Sequence, residues 1–203
     1  MTTFLLVRHA EAAVPPDTIA GRQPGVPLSA RGRAQAAHLA RRLAELSLHA
    51  IYTSSVDRAM QTAEPVAAAH GLPLRVCEGL QEVDYGDWTG MQMADLAGDP
   101  VWQAWNSHRS VTTIPHGESI VAVQQRVAAA MTRLRDAHPE QNVVLVSHAD
   151  VIRTAVAHYL GVPLDLSLRI EVTKASVTVV VDSGDGVAVR TVNSCDGLLD
   201  CLL

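Results

Sequence analysis

The chain has 203 residues, 48% of them hydrophobic and 18% charged, a balance that suits a globular protein with one large core and argues against disorder. A net charge of −5 lacks the basic surplus that nucleic-acid binding requires, and no apolar run reaches membrane-spanning length. The three cysteines, Cys77, Cys195 and Cys201, form no CxxC pair, so we expect a cytoplasmic protein without a disulfide framework.

The first predicted strand, Phe4–Val7, is a short apolar run that ends abruptly on Arg8 and His9. In open α/β sheets, ligands bind beyond the carboxyl ends of the strands. A guanidinium matches the geometry of phosphate oxygens, and a neutral imidazole offers a nucleophilic nitrogen. The pair therefore suggests phosphoryl transfer, with a solvated strand end as the alternative interpretation.

Residues 12–28 are rich in proline and glycine and are predicted to form a functional loop. Within it, Gly21 and Arg22 could bring a backbone amide and a cation to an anionic ligand, although a plain surface turn fits equally well. Ser29 is the predicted N-cap of a helix over residues 30–47, which repeats apolar residues at helical spacing.

A second strand, Ala50–Thr53, precedes a helix that Ser54 or Ser55 could cap. Arg58 falls in the first turn of this helix, where a cation opposes the helix dipole, so its position favours an anion nearby. Pro65 should end or kink the helix, although residues 66–70 are compatible with its continuation.

A third strand, Leu72–Cys77, leads to Glu82 and then to a turn-rich aromatic loop over residues 84–90. A carboxyl group under aromatic cover can stay protonated at neutral pH and act as a general acid. Glu82 is therefore the candidate general acid, and Glu78 and Asp84 are the alternative candidates.

Residues 91–118 are irregular and are interpreted as a partly helical cap insertion over the site. Its His108 and Arg109 fit exposed polar positions better than substrate contacts. The next helix, predicted over Ile120 to about Ala137, has a clear apolar face.

The predicted strand Asn142–Val146 resembles the first strand, because it is also an apolar run that is soon followed by a histidine, here His148 after Ser147. Asp150 is the predicted cap of the next helix, which Gly161 and a following proline should end. Two further strands are expected at 177–181 and 187–192, joined by a glycine-rich turn, with residues 193–203 as a tail.

Four predicted strands thus deliver Arg8, His9, Arg58, Glu82 and His148 to one edge of one sheet. Here the sequence resembles the histidine phosphatase superfamily, in its phosphoglycerate mutase-like branch. The matching segments run from residue 5 to about 160 and comprise Leu-Val-Arg-His-Ala-Glu (residues 6–11), Gly21-Arg22, Pro27-Leu28-Ser29, Tyr52-Thr53-Ser54-Ser55 with Arg58, Glu82 with residues 86–90, Gly117-Glu118-Ser119 and Val146-Ser147-His148-Ala149.

The resemblance implies an α/β fold, a three-layer sandwich with a central mixed, mostly parallel sheet flanked by helices. It implies one domain over residues 1–203, with the cap at about 91–118. It also implies a metal-independent phosphatase without a cofactor, acting on a small phosphorylated substrate and not on nucleic acid or membranes. A homo-oligomer is left open.

The resemblance also assigns roles to individual residues. His9 would be the nucleophile that becomes phosphohistidine, Glu82 would protonate the leaving oxygen, and neighbouring guanidinium groups would keep His9 neutral. The implied substrate-binding residues are Arg8, Gly21, Arg22, Arg58, His148 and Ala149. Pro15 replaces a frequent polar residue of the family, which puts one phosphate contact in doubt.

Three alternatives accompany this interpretation. A cofactor-dependent phosphoglycerate mutase would share the catalytic residues, but the Glu82 segment lacks the mutase-like Glu-Arg-His-Tyr run. A metallohydrolase would need a further ligand cluster, which the sequence does not suggest. A non-catalytic phosphate-binding module would be expected to lack a core residue, and none is missing.

Overall fold

The computed structural model describes residues 1–196, in which six strands form one sheet. The strands are β1 (Thr2–Arg8), β2 (Ala50–Thr53), β3 (Leu74–Val76), β4 (Asn142–Ser147), β5 (Val177–Asp182) and β6 (Val187–Ser194). Their order across the sheet is β3-β2-β4-β1-β5-β6. Strands β1 to β4 are mutually parallel, whereas β5 is antiparallel to β1 and β6 to β5. The prediction of a mixed, mostly parallel sheet is confirmed.

Helices cover both faces of this sheet, because the buried strands are apolar on both sides. The helices are α1 (Ala30–Leu43), α2 (Asp57–His70), α3 (Pro100–Ser107), α4 (Ile120–Ala137) and α5 (Ala149–Leu160). In β1, Phe4 and Leu6 pack with the core that contains α4 and α5, while Leu5 and Val7 pack with α1 and α2. The three-layer arrangement is therefore confirmed. None of the helices within residues 1–196 is both long and apolar enough to cross a membrane.

Helix α1 begins as predicted but ends at Leu43, four residues before the expected boundary. The Ser29 hydroxyl accepts a hydrogen bond from the Gly32 amide at 3.0 Å, as an N-cap should. At Gly32 the helix lies so close to the carbonyl of Glu11 that a Cβ atom would collide with it. Glycine at this position lets α1 pack against the segment that follows His9.

One prediction about the start of α2 is wrong. Its N-cap is Val56, not Ser54 or Ser55, and no side chain caps it. The helix also continues through Pro65 to His70. An internal proline costs about 3 kcal/mol, but the apolar face around it, including Ala63 and Val66, is fully buried against the sheet. Burial of that face offsets the missing hydrogen bond.

The C-terminal strands are close to their predicted bounds, but β6 extends to Ser194. The predicted tail over residues 193–203 therefore begins inside a strand, and its residues 197–203 lie outside the described part of the chain. β3 is also shorter than predicted, at three residues.

The parallel register places the strand ends side by side. Arg8 of β1 is paired with Ser147 of β4, and Thr53 of β2 with Val146. The residues that follow these strands, among them His9 and His148, therefore meet at one edge of the sheet.

Candidate active site

His9, Arg58, Glu82 and His148 come together at the carboxyl edge of the parallel strands. Nε of Arg58 lies 3.3 Å from Nε2 of His9, and Oε2 of Glu82 lies 3.2 Å from Nδ1 of His148. The rings of His9 and His148 have centroids 5.1 Å apart. All four residues are buried or nearly so, and His9, Arg58 and Glu82 line a cleft of about 630 Å³. The convergence expected from the strand ends is present in the structure.

The ring of His9 is held in one tautomer. Its Nδ1 lies 2.7 Å from the carbonyl oxygen of Ala10, which can only accept, so the proton is on Nδ1 and the lone pair is on Nε2. The Ala10 amide donates in turn to the hydroxyl of Thr62 at 3.0 Å, which fixes this backbone. Burial lowers the pKa of His9 well below its usual value, and His148 and Arg58 lower it further. His9 therefore presents a neutral, nucleophilic Nε2.

Arg8 and Arg58 each carry a buried N–H donor that lacks a partner among the described residues. Nη1 of Arg8 donates to the Val172 carbonyl and Nη2 of Arg58 donates to the Gly21 carbonyl, each at 2.7 Å. Nε of Arg8 and Nη1 of Arg58 remain buried without a partner. Both residues line the cleft. Because unsatisfied buried donors are costly, this pair favours an anionic ligand with several acceptor oxygens.

Glu82 faces both His148 and Arg58. Its Oε2 lies 3.6 Å from Nη2 of Arg58, and its Oε1 accepts from the Val83 amide at 2.9 Å. Burial alone would raise the pKa of Glu82, but His148 and Arg58 outweigh it and lower the pKa below its usual value. The sequence-based expectation that aromatic cover keeps this carboxyl protonated is therefore wrong for the free protein.

The remaining predicted binding residues differ in position. Gly21 lines the cleft and offers its carbonyl to Arg58, and Ala149 lines it as the first residue of α5. Arg22 lies apart from the lining residues and pairs with Glu118 at 2.8 Å, while its Nε donates to the backbone carbonyl of Glu82 at 2.8 Å. In the structure Arg22 thus contacts the candidate acid and not the space a ligand would fill, contrary to the expected ligand contact.

The two alternative candidates for the general acid, Glu78 and Asp84, do not line the cleft. Glu78 is exposed, and Asp84 pairs weakly with Arg22 and accepts a bond from the Gly86 amide. Glu82 is therefore the better placed carboxyl group.

His9, Glu82 and His148 also form a group in which one ligand atom from each side chain lies within 4.8 Å of the others. A metal ion among them would sit beside Arg58, which already contacts His9 and Glu82 at 3.3 and 3.6 Å. A second cation at that distance from a buried guanidinium is unfavourable. The donor set with its arginines suits an anion better than a metal ion.

A buried ionic network next to these residues was missed by the sequence analysis. Arg109 makes a two-point contact with Asp150, at 3.2 and 2.7 Å, and its guanidinium lies 4.6 Å from the centre of the Trp105 ring. The Tyr85 hydroxyl donates to Asp150 at 2.8 Å, and Arg153 adds a contact at 3.1 Å.

This network overturns two predictions. Arg109 is 1% exposed, not a surface residue, whereas His108 is exposed as expected. Asp150 does not cap α5, whose N-cap is His148. The cluster of cations around Asp150 lowers the pKa of that carboxyl despite its burial. A buried ion pair between the predicted cap and α5 produces no periodic pattern in the sequence. The only signal for it in the sequence is that Arg109 and Asp150 carry opposite charges.

Part of the cleft lining is apolar. Pro15, Pro16, Met93, Trp102 and Leu168 belong to its lining, together with Lys174 near Glu11. The ring of Trp88 packs edge-on against Trp102 and Trp105, at centroid distances of 5.2 and 6.2 Å. The cleft therefore brings the guanidinium groups of Arg8 and Arg58 together with apolar side chains.

Comparisons with known proteins agree with this geometry. Residues 4–194 match the family described as "Histidine phosphatase superfamily (branch 1)". Adenosylcobalamin/alpha-ribazole phosphatase of Escherichia coli K12 is 28% identical over 93% of this chain and 94% of its own length. Phosphoserine phosphatase 1 of Hydrogenobacter thermophilus is 32% identical, over 89% and 86%. The solved structure "Bacillus stearothermophilus YhfR" superposes with a TM-score of 0.90, at 30% identity, over 96% of this chain and 98% of that one.

Proposed function

This chain belongs to the histidine phosphatase superfamily and hydrolyses phosphate monoesters, and we propose that it does so through a phosphohistidine on His9. The observation that carries the proposal is the juxtaposition, in one cleft, of a neutral His9 with its lone pair on Nε2 and two guanidinium groups with unpaired donors. A nucleophile beside a cradle for phosphoryl oxygens is what phosphoryl transfer requires.

In the first step, Nε2 of His9 attacks phosphorus while the bond to the leaving oxygen breaks. Glu82 gives its proton to that oxygen, so the products are a phosphohistidine, the free alcohol and the Glu82 carboxylate. The phosphorylated imidazole keeps its Nδ1 proton and its bond to the Ala10 carbonyl. The charge of the incoming phosphate raises the pKa of Glu82, so the carboxyl group gains its proton as the substrate binds.

In the second step, a water molecule attacks phosphorus and the bond to Nε2 of His9 breaks. The carboxylate of Glu82 accepts the proton of the water, which restores the acid and releases phosphate. Throughout both steps, Arg8, Arg58 and His148 hold the phosphoryl oxygens, helped by the first amides of α5 at Ala149.

Gly21 and Arg22 serve this site indirectly. The Gly21 carbonyl orients the guanidinium of Arg58, and Arg22 fixes the backbone of Glu82 from outside the cleft. We therefore assign both to positioning, in place of the direct substrate contact suggested by the sequence.

The substrate class is a small phosphorylated compound without a nucleic-acid or membrane component, and the enzyme needs no metal ion. Support comes from the size of the cleft, about 630 Å³, and from the guanidinium groups, which supply the positive charge that a metal would otherwise bring. We also propose that residues 1–203 form a single domain with residues 91–118 as a cap, because Arg109 and Trp105 of that segment line the same cleft.

Rapid acid-free quenching of the enzyme during turnover of a 32P-labelled ester tests the proposal. We expect label that is stable in base, labile in acid and located on His9, and none in His9→Ala. Label on another residue, or near-normal turnover by His9→Ala, would contradict the assignment. With 3-phosphoglycerate as substrate, phosphate release should far exceed isomerisation; the opposite result would favour the mutase alternative.

A further inference from the structure

Glu82 lies on a stretch of chain without regular secondary structure. Residues 82–84 belong to neither a helix nor a strand, so no regular ladder of backbone hydrogen bonds fixes the segment that carries the candidate acid. The carboxyl group nevertheless has to lie at a defined place between His148 and Arg58. Its position therefore depends on contacts from other parts of the chain.

Two guanidinium groups meet at the backbone carbonyl oxygen of Glu82. This oxygen accepts from Nε of Arg22 at 2.8 Å and from Nη2 of Arg126 at 3.1 Å. Nη1 of Arg126 also donates to the Gly79 carbonyl at 2.9 Å, three residues before the acid. A carbonyl oxygen has two lone pairs, and hydrogen bonds from charged donors are the stronger kind. The Glu82 carbonyl is thus held from two directions.

The side chain of Glu118 holds both guanidinium groups. Its Oε1 accepts from Nε of Arg126 at 3.1 Å, and its Oε2 accepts from Nη2 of Arg22 at 2.8 Å and from Nη2 of Arg126 at 3.1 Å. Glu118 also bonds the chain just after the acid, because Oε2 accepts from the Asp84 amide and the Glu118 amide donates to the Asp84 carbonyl, both at 2.9 Å. One residue therefore links the donors at Glu82 to the segment that follows it.

These three side chains lie outside the cleft. Arg22, Glu118 and Arg126 do not belong to its lining, and their side chains are 36%, 22% and 20% exposed. Ion pairs exposed to this extent contribute little to folding stability. Their convergence on the carbonyl of Glu82 is therefore better explained by a role at that residue.

We propose that Glu118 and Arg126 are positioning residues for Glu82, which together with Arg22 form a clamp on the backbone of the general acid. The inference rests on the proposed function, because it requires that Glu82 protonates the leaving oxygen. Proton transfer needs heavy atoms about 2.6–3.2 Å apart, so a small shift of this backbone disables the acid. The guanidinium groups that hold phosphate stay in place, so the clamp governs protonation of the leaving group and not phosphate binding.

Two substitutions that change the charge in opposite directions test the clamp. Glu118→Gln removes a negative charge and Arg126→Met a positive one, so an effect carried by the electric field at Glu82 would have opposite signs in the two variants. Loss of positioning instead lowers kcat/KM for an alkyl phosphate in both. We expect a loss of about 10- to 10²-fold, since a misplacement of about 1 Å can cost 10²-fold.

The comparison substrate is p-nitrophenyl phosphate, whose leaving group departs almost unaided and should lose less than about threefold. Partial unfolding lowers the rates on both substrates equally, so the ratio of the two kcat/KM values reports positioning and not stability. The matched control is Arg135→Met on the same helix, α4. The Arg135 side chain is 25% exposed and pairs with Asp136 and Asp182, away from the acid, so this ratio should not change.

Glu118→Gln in a Glu82→Gln background shows whether Glu118 acts through the acid. We expect it to lower alkyl phosphate hydrolysis by less than about threefold there, because the proton donor is already absent. Additive losses would overturn the clamp, as would an unchanged ratio in Glu118→Gln and Arg126→Met, ratio changes of opposite sign in these two variants, or an equal change in Arg135→Met. A Glu82→Gln variant without a selective loss on alkyl phosphates would instead refute the acid assignment itself, and the clamp with it.

Discussion

Nε of Arg58 lies 3.3 Å from Nε2 of His9, so a buried cation contacts the nitrogen that attacks phosphorus in the proposed mechanism. An imidazole in that position gains a proton only with difficulty, because burial, His148 and Arg58 all lower its pKa. The contact keeps the nucleophile ready at pH values where an exposed histidine would be protonated.

We therefore expect His9 to weaken the fold on acidification. In the unfolded chain its imidazole protonates near pH 6.5, whereas in the folded protein it protonates only at lower pH. Below about pH 6.5 the unfolded state therefore binds more protons and stability falls, by at most about 1.4 kcal/mol per pH unit. Urea unfolding at about pH 7.5 and about pH 5.5 should show a smaller acid-induced loss in His9→Gln than in the wild type. The same loss in both proteins would rule out a lowered pKa.

Replacing Glu82 with Gln should separate proton transfer from phosphate binding. An alkoxide leaves poorly without a proton, and a positioned acid contributes about 10²- to 10⁴-fold. We expect kcat/KM for alkyl phosphates to fall by roughly that factor, with a much smaller effect on p-nitrophenyl phosphate, whose leaving group departs almost unaided. Equal losses on the two substrates would mean that Glu82 positions phosphate or water.

Chelation should leave turnover unchanged. The positive charge at the inner end of the cleft comes from Arg8 and Arg58, whose unpaired donors need no bridging metal. The measurement is the phosphate-release rate before and after exhaustive dialysis against EDTA, with a known zinc phosphatase dialysed in parallel as the control. Activity that disappears and returns with Zn²⁺ or Mn²⁺ would favour the metallohydrolase alternative.

The contact between Arg109 and Asp150 should dominate the stability of the cap. Removing one partner of a buried ion pair costs about 3–5 kcal/mol, because the other charge remains buried. We expect Arg109→Met to lower the free energy of unfolding by about that amount in urea. The control is Arg153→Met, which removes the more exposed partner of the same carboxylate and should cost about 1 kcal/mol. Comparable losses in the two variants would contradict this ranking.

The sequence predicted the centre of the site better than its surroundings. His9, Arg58, Glu82 and His148 follow local signals, either strand ends or a helix first turn, and the parallel topology brings such positions together. Arg109 and Asp150 do not: the bond between them joins segments 41 residues apart in the chain, and neither residue lies on a periodic apolar face. Ser54 was interpreted as a helix cap because that is its commonest local use, whereas its hydroxyl is committed to His148 and Gln81.

The same limits apply to electrostatics. Sequence neighbours suggested aromatic cover and a protonated Glu82, but the balance of its pKa depends on His148 and Arg58, which only the fold brings close. Arg22 was expected at the ligand for a similar reason: a cation next to a glycine in a loop gives no indication that Glu118, 96 residues away, is its partner.

The three tryptophans of the chain, Trp88, Trp102 and Trp105, lie together beside the cleft, with Trp88 packed edge-on against the other two, and Trp102 and Trp105 form part of the cleft wall. The ultraviolet emission of the protein consequently originates almost entirely at the site. Entry of a phosphate ester should change the intensity of this emission without any attached dye, so that stopped-flow fluorescence can time substrate arrival and product departure in the unmodified enzyme. None of the strands β1–β6 described within residues 1–196 contains a tryptophan. The sheet therefore adds no tryptophan emission that could mask the signal.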